Sequence, residues 1–447
     1  HYPLRRQRQM CIRDSSSTEP AASTLERLRN GALTGSTRLD LRGCGLTELP
    51  PEVLSLADTL EVLDVSGNAL TDLPEALPRL RRLQVLFASD NHFTTLPPVL
   101  GRCPSLELIG FKANRIRTVP AAALPPTLRW LILTDNHIET LPETLGACTP
   151  LQKLMLAGNR LRHLPESLAR CQRLELIRLA ANEFATPADA LPEGLLALPR
   201  LAWVAHGGNP YSRAREEAAL AMATGTAAAA AAAPIDWAEL ELHGPLGEGA
   251  SGVIHAATWQ TRGAAAQVVA VKLFKGAMTS DGLPASEMAA CMAAGQHPHL
   301  VGVLGKVTNH PVGTPGLVLQ RIPPGHVNLA GPPSLASCSR DVYANGHRLS
   351  GEVARAIAQG MESALAHLHR QGLSHGDFYA HNILVDEQGH AQLGDFGAAS
   401  FLPSDDPGRC ATLQHIDRRA LAVLLEELAE RCDDAAAVRA LQAHPYP

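Results

Sequence analysis

The first half of this chain says nearly the same thing eight times. "LEVLDVSGNALTDLP" begins at Leu60, "LQVLFASDNHFTTLP" at Leu83, "LELIGFKANRIRTVP" at Leu106, "LRWLILTDNHIETLP" at Leu128 and "LQKLMLAGNRLRHLP" at Leu151. The starts step by 23, 23, 22 and 23 residues. An earlier copy, "TRLDLRGCGLTELP", has Cys44 where the others have asparagine, and looser copies begin at Leu174 and Leu201. No single copy can bury its own leucines, so the copies must stack and share one elongated core. Each predicts a short strand, such as 62–66, then an asparagine turn, then a less regular return. Asn68, Asn91, Asn114, Asn136, Asn159 and Asn182 recur at the turn and are expected to bond backbone groups of adjacent coils as a ladder.

The pattern L-x-x-L-x-L-x-x-N-x-L-x-x-L-P resembles leucine-rich repeats, and the resemblance covers residues 36–212. Alternate strand positions would then face the concave side of the solenoid. One column reads Arg38, Val62, Val85, Leu108, Trp130, Lys153, Leu176, Trp203; the next includes Phe87, Ile132 and Met155. These positions are solvent-facing in such an architecture, and a contiguous apolar strip there marks a binding surface for a protein partner or substrate. Cys103, Cys148 and Cys171 each lie three residues before the next repeat's first leucine and are read as small buried thiols.

Composition excludes several classes. Net charge is −5 over 447 residues with no basic stripe, which argues against a nucleic-acid binder. Nine cysteines show no zinc-type spacing or short disulfide framework, so a reducing, cytoplasmic setting is expected. Residues 1–35 are read as an N-terminal extension, disordered or partly artefactual; "RRQRQMCIRDS" resembles translated adapter sequence. Residues 218–235 carry no charge and are long enough to span a bilayer. Alanine is weakly apolar, however, and Arg213 and Arg215 against Asp236, Glu239 and Glu241 would put the second half outside. The stretch 213–234 is therefore read as an Ala-rich linker, and a membrane span is not expected.

The second half, 235–447, carries the chemistry. "LGEGASGVIHAATW" places Gly247, Gly249 and Gly252 between two apolar runs, a hairpin whose turn lets backbone approach phosphates. "VVAVKLF" puts Lys272 in an apolar strand, where an ammonium needs a partner; Glu287, fifteen residues on in a helical stretch, is the natural one. Ser350 predicts the N-cap of a helix that Gly372 stops. Then comes "LSHGDFYAHNILVDEQGHAQLGDFG". Asp377 can sit at an attacking hydroxyl, and Asn382 and Asp395 can offer oxygen to Mg²⁺ on phosphates.

Taken in order, glycine loop, V-A-V-K, helix glutamate, H-x-D-x-x-x-x-N and D-F-G resemble the protein-kinase fold. The resemblance implies Asp377 as catalytic base, Lys272 and Glu287 as an ion pair, and Asn382 and Asp395 as Mg²⁺ ligands. It also implies ATP as cofactor, with Val253, Ala270 and Leu384 around adenine and backbone near Gln320–Ile322 bonding it. The chain as a whole is thus read as two domains: an α/β leucine-rich-repeat solenoid, then an α+β bilobal protein-kinase fold with a short C-lobe. The expected activity is ATP- and Mg²⁺-dependent phosphorylation of protein hydroxyls, of the serine/threonine type. The alternatives are a pseudokinase scaffold acting through its repeats and a small-molecule phosphotransferase, since "HGD" also occurs in the latter.

Departures from the family pattern are specific. Gly376 replaces the arginine that commonly reads a phosphate on the activation segment, which implies activity independent of such a phosphate. Tyr379 stands where the serine/threonine type usually has lysine. His381 could stand in as a phosphate-facing donor or be a polar loop histidine. No A-P-E follows D-F-G, and "IDRRALAVLLEELAER" is read as the next buried helix, with Asp417 bracing the catalytic loop.

Overall fold

The structure is a computed structural model of the whole chain; it describes residues 21–222, 233–249, 251–261, 263, 265–276 and 278–443. The described residues divide into two compact units, split between Leu201 and Ala202. The N-terminal extension to residue 20 and residues 223–232 of the Ala-rich linker lie outside the described residues, whereas residues 213–222 of that linker are helical.

The first unit opens with helix α1 (Ala21–Arg29), an element that the extension gave no reason to expect; its Leu28 is buried. Seven three-residue strands follow: β1 (Arg38–Asp40), β2 (Val62–Asp64), β3 (Val85–Phe87), β4 (Leu108–Gly110), β5 (Trp130–Ile132), β6 (Lys153–Met155) and β7 (Leu176–Arg178). Successive strands pair in parallel and in register, so that Leu86 faces Ile109 and Leu131 faces Leu154. The central residue of every strand points inward and is fully buried. Most returning segments are one-turn 3₁₀ helices entered from proline, and two short helices, α2 (Pro187–Ala190) and α3 (Glu193–Leu196), close the series.

The asparagine ladder is present. Asn136 Nδ2 donates to Phe111 O at 2.9 Å in the coil before and to Leu133 O at 3.0 Å in its own, while Oδ1 accepts from Ile116 N at 3.0 Å. Asn91 and Asn159 repeat the arrangement. The residue ahead of each asparagine is left-handed, whether Gly67 (φ 69°), Asp90 (52°) or Ala113 (55°). For a non-glycine residue that conformation costs about 1 kcal/mol, offset here by the bonds it lets the asparagine make. Cys103, Cys148 and Cys171 are buried free thiols, with burial raising each to about 11, about 12 and about 11 respectively.

The strand columns read as solvent-facing are buried instead from β3 onward, including Val85, Phe87, Leu108, Trp130, Ile132, Met155 and Leu176, whereas Val62 is half-buried. Column neighbours account for part of this. Phe87 lies against Gly110, where an added Cβ would come within 2.6 Å of its ring. Trp130 Nε1 lies 3.3 Å from Met155 Sδ, and the Lys153 ammonium sits 4.4 Å from the centre of a Trp130 ring.

The second unit begins with β8 (Trp203–Ala205) and α4 (Pro210–Met222). This is the last copy of the repeat pattern. Gly208 is left-handed and Asn209 Nδ2 donates to His206 O at 2.8 Å, so the turn geometry persists. A six-stranded sheet follows in the order β10-β11-β12-β14-β13-β9. It comprises β9 (Ala233–Asp236), β10 (Leu240–Glu248), β11 (Gly252–Trp259), β12 (Gln267–Phe274), β13 (Val303–Thr308) and β14 (Gly316–Gln320), with α5 (Pro284–Ala294) between β12 and β13. Val269, Val271 and Val318 form its core with Ile235 and Ala257.

Beyond it lie β15 (Val327–Asn328), α6 (Gly351–Arg370), β16 (Leu373–Ser374), β17 (Ile383–Val385), β18 (Ala391–Leu393), β19 (Ser400–Phe401), α7 (Pro407–Glu430) and α8 (Ala435–Gln442). Ser350 caps α6 by accepting from Val353 N at 3.2 Å, and left-handed Gly372 (φ 72°) follows its end. Helix α7 starts earlier than the sequence suggested, because Asp406 accepts from Arg409 N at 2.9 Å and Pro407 opens the first turn. Thr412 is therefore helical, its hydroxyl donating to Gly408 O at 3.0 Å. Among the described residues, no helix is long and apolar enough to cross a membrane.

Candidate active site

A cleft between the six-stranded sheet and the loops after α6 gathers residues from both sides. Gly249, Gly252 and Ile254 line it from the β10–β11 hairpin, Lys272 from β12, Glu287 and Cys291 from α5, and Leu317 and Leu319 from β14. His381, Asn382, Leu384, Gly394, Asp395 and Phe396 close the opposite side.

The hairpin is tight. Gly249 N donates to Gly252 O at 2.8 Å, and Gly247 pairs across to Ile254. A Cβ on Gly252 would fall 2.4 Å from Leu273 O, so glycine there allows β11 to lie close on β12.

Lys272 and Glu287 form an ion pair in which both are largely buried. Burial opposes the ammonium's charge, but Glu287 and Asp395 outweigh it and hold Lys272 above its ordinary range. Glu287 Oε2 is buried without a hydrogen-bond partner. Asp395 is pushed up to about 7, first by burial and then by the charge of Glu287, with Asp377 and Asp281 adding to it against Lys272. Its backbone is left-handed (φ 54°) and its Oδ1 accepts from Gly397 N at 3.2 Å. Strain of this kind at a carboxylate is typical of functional loops.

Asn382 ties the catalytic loop together. Its Nδ2 donates to Asp377 Oδ2 at 2.8 Å and Asp377 O at 2.9 Å, while Gly394 N donates to Asn382 O at 2.9 Å. His375 Nδ1 accepts from Asp377 N at 3.3 Å and its Nε2 meets Gly394 O at 3.0 Å, so the proton lies on Nε2. Beneath the loop, buried Asp417 accepts from His375 N at 3.0 Å, Gly376 N at 3.2 Å and His369 Nε2 at 3.0 Å. Burial would raise this carboxyl, but those donors hold it below its usual range. The bracing expected of Asp417 is thus seen.

Not every residue that the resemblance implied lines the cleft. Leu384 does. Val253 and Ala270 do not: Ala270 is fully buried in β12, paired with Ala256 and Leu319. Gln320 N donates to Gly302 O at 2.8 Å, and neither Gln320 nor Ile322 lines the cleft. Other residues escaped the sequence. Asp341 holds His381, accepting from its backbone N at 3.0 Å and meeting Nδ1 at 2.7 Å. Forty residues separate them, and no pattern links the two. Gly376 is explained by space: at φ 70°, a Cβ would come within 2.6 Å of both Ala398 O and Val204 O.

A pair of oxygen donors, Asn382 and Asp395, suits a hard divalent cation shared with phosphate. The excess negative charge that raises Asp395 and the unpartnered Glu287 oxygen are what such a cation and a compensating lysine would offset. Among the described residues, no three His, Cys, Asp or Glu side chains converge as a self-contained metal site.

Comparison with known proteins agrees with this geometry. Residues 240–422 match the protein tyrosine and serine/threonine kinase family, and residues 37–93 and 126–184 match leucine rich repeats. The serine/threonine-protein kinase mos of Xenopus laevis is 27% identical over 191 residues, 41% of this chain and 49% of that protein. Its Gallus gallus counterpart is 30% identical over 184 residues, 38% of this chain and 49% of that protein. CBL-interacting protein kinase 22 of Oryza sativa subsp. japonica is 34% identical over 119 residues, 27% of this chain and 24% of that protein. The chain therefore spans about half the length of the mos kinases and about a quarter of the rice kinase. The matched regions follow the order of a leucine-rich-repeat protein kinase: leucine-rich repeats first, then a protein kinase domain.

Proposed function

We propose that the chain transfers the γ-phosphoryl group of ATP to protein hydroxyls, chiefly serine and threonine, in a cytoplasmic setting. The observation that supports this most is the convergence of Lys272, Glu287, Asn382 and Asp395 on one cleft, with Asp377 bonded to Asn382.

In this reading the hairpin backbone around Gly249 and Gly252 covers the phosphates. Lys272, fixed by Glu287, holds the α/β-phosphates. Magnesium, carried by Asn382 and Asp395, would neutralise charge on the phosphate oxygens. Asp377, oriented by Asn382, takes the proton from the attacking hydroxyl as its oxygen bonds to the γ-phosphorus. The bond to the bridging oxygen breaks and ADP leaves. Leu384 and Leu319 give the adenine an apolar bed. The repeats serve protein recruitment, a general use of such solenoids.

The test uses the whole chain, labelled ATP, magnesium and a panel of protein acceptors. Asp377→Asn should lower transfer by roughly a thousandfold while leaving the thermal shift with ADP and magnesium intact. Equal label from both proteins would instead favour a scaffold. One observation favours a second reading. Only eleven residues separate Asp395 from Asp406, the cap of α7, which leaves little platform for a peptide. Small hydroxylated acceptors belong in the same panel, and preference for them would move the assignment to small-molecule phosphotransfer.

A further inference from the structure

Three parts of the catalytic unit must hold still for phosphoryl transfer, and all three touch one stretch outside the kinase match. The match begins at residue 240; β8 and α4 precede it. From β8, Trp203 Nε1 donates to Phe378 O at 3.1 Å. Its ring stacks on Tyr379, with centroids 4.3 Å apart and planes 7° from parallel. Phe378 and Tyr379 directly follow Asp377. From the turn after β8, His206 N donates to Ser400 Oγ at 2.9 Å, in the segment that follows Asp395. From α4, buried Glu216 reaches α5: its Oε2 accepts from Ser286 Oγ at 2.7 Å. Its Oε1 accepts from Gly208 N and Ser212 Oγ, each at 2.7 Å. Ser286 immediately precedes Glu287 in the first turn of α5.

We infer that residues 203–222 are a built-in positioning clamp for the kinase site, with Trp203 setting the catalytic loop and Glu216 setting α5 and thereby the Lys272–Glu287 pair. The inference rests on the kinase reading above. A buried carboxylate receiving three donors is a fixed anchor, because releasing any donor leaves it uncompensated. Among the described residues Ser286 carries the hydrogen bond from that anchor to α5, one position before Glu287, so the angle of Glu287 depends on it. Trp203 fastens the two residues after Asp377 by one hydrogen bond and one stacked ring. The Val204 carbonyl meanwhile fills the space that a side chain at position 376 would need. Order that a phosphate on the 396–406 segment could impose from outside is here supplied by the chain itself.

The experiment is steady-state kinetics on the whole chain with ATP varied, alongside direct measurement of ATP–magnesium binding. Ser286→Ala and Glu216→Ala should each raise both KM and Kd for ATP about tenfold, with kcat within about threefold. Their double variant should be no worse than either single one, since both cut the same link. Ser286→Thr, which keeps the hydroxyl, should restore wild-type values. Trp203→Phe, which keeps a stacking ring and loses the donor, should lower kcat about tenfold with KM for ATP unchanged. Thr412→Ala should change neither parameter. If Glu216→Ala does not fold, Ser286→Ala decides. A well-folded Ser286→Ala chain with wild-type KM and Kd, in an active parent, overturns the inference and leaves the kinase reading standing. A parent chain that neither labels acceptors nor binds ATP–magnesium overturns both.

Discussion

Asn136 in the repeat unit makes the same bonds as Asn91 and Asn159, to the same kinds of carbonyl, one coil apart. In the catalytic unit Lys272, Asp377 and Asp395 each occupy a position with no second copy. The first region spreads its stability over equivalent links, and the second concentrates function in links that occur once. A lost link should therefore be absorbed locally in the repeats and felt throughout the catalytic loop.

The strongest challenge to that contrast is Gly376→Arg, which installs the residue the wider family uses. The left-handed backbone and the two carbonyls 2.6 Å from a Cβ allow no side chain. The cost should be roughly 3 kcal/mol or more, seen as a much lower melting temperature and loss of labelling. A variant that melts like wild type would show that the loop relaxes as readily as a repeat.

Next in size is Asn136→Ala. It orphans the Ile116 amide and takes one of two amide donors from each of the Phe111 and Leu133 carbonyls, which keep Asn114 and Asn159, at about 2 kcal/mol. Hydrogen exchange should quicken in the two coils concerned and not across the whole solenoid. Uniform loss of protection would mean that the repeats behave as one cooperative block.

A third effect, visible only as pH is varied, concerns a charge the catalytic unit tolerates. Glu427 is pushed up to about 7, first by burial and then by Asp341, although Tyr343 Oη donates to it at 2.9 Å. Its folded pKa lies above its unfolded value of about 4.3, so the folded state holds an extra proton between them. Stability contributed by this group falls as pH rises from about 4.3 to about 7 and is level beyond. Glu427→Gln removes that loss. It should melt a few degrees higher than wild type at about pH 8 and nearly the same at about pH 4. An identical difference at both pH values would place the effect in packing and not in charge.

The same contrast governs what could be read without coordinates. The coil shape is written locally, so the leucine period and the asparagine turns sufficed for the repeats. The cleft was legible because each motif carries its own chemistry: an apolar strand around Lys272, paired oxygen donors at Asn382 and Asp395. The burial of the strand columns was not legible, since alternation says which way a side chain points and not what covers it. Val253, Ala270, Gln320 and Ile322 came from analogy, and analogy does not register that the Gln320 amide is engaged by Gly302. The early start of α7 had a signal, Asp406 followed by Pro407, that cap and first-turn preferences would have flagged. The Asp341–His381 and Glu216–Ser286 contacts had none, because they join residues 40 and 70 apart through space alone.

The last repeat copy obeys two masters. Its Gly208–Asn209 turn follows the rule of the coils, while Trp203 and Glu216 answer to a catalytic loop and a helix that come far later in the chain. A stretch under both demands has few acceptable sequences. Recombination that traded one solenoid for another would have to break the gene upstream of Ala202, because a break at residue 240, where family resemblance starts, would hand on the kinase-like domain without Trp203 and Glu216.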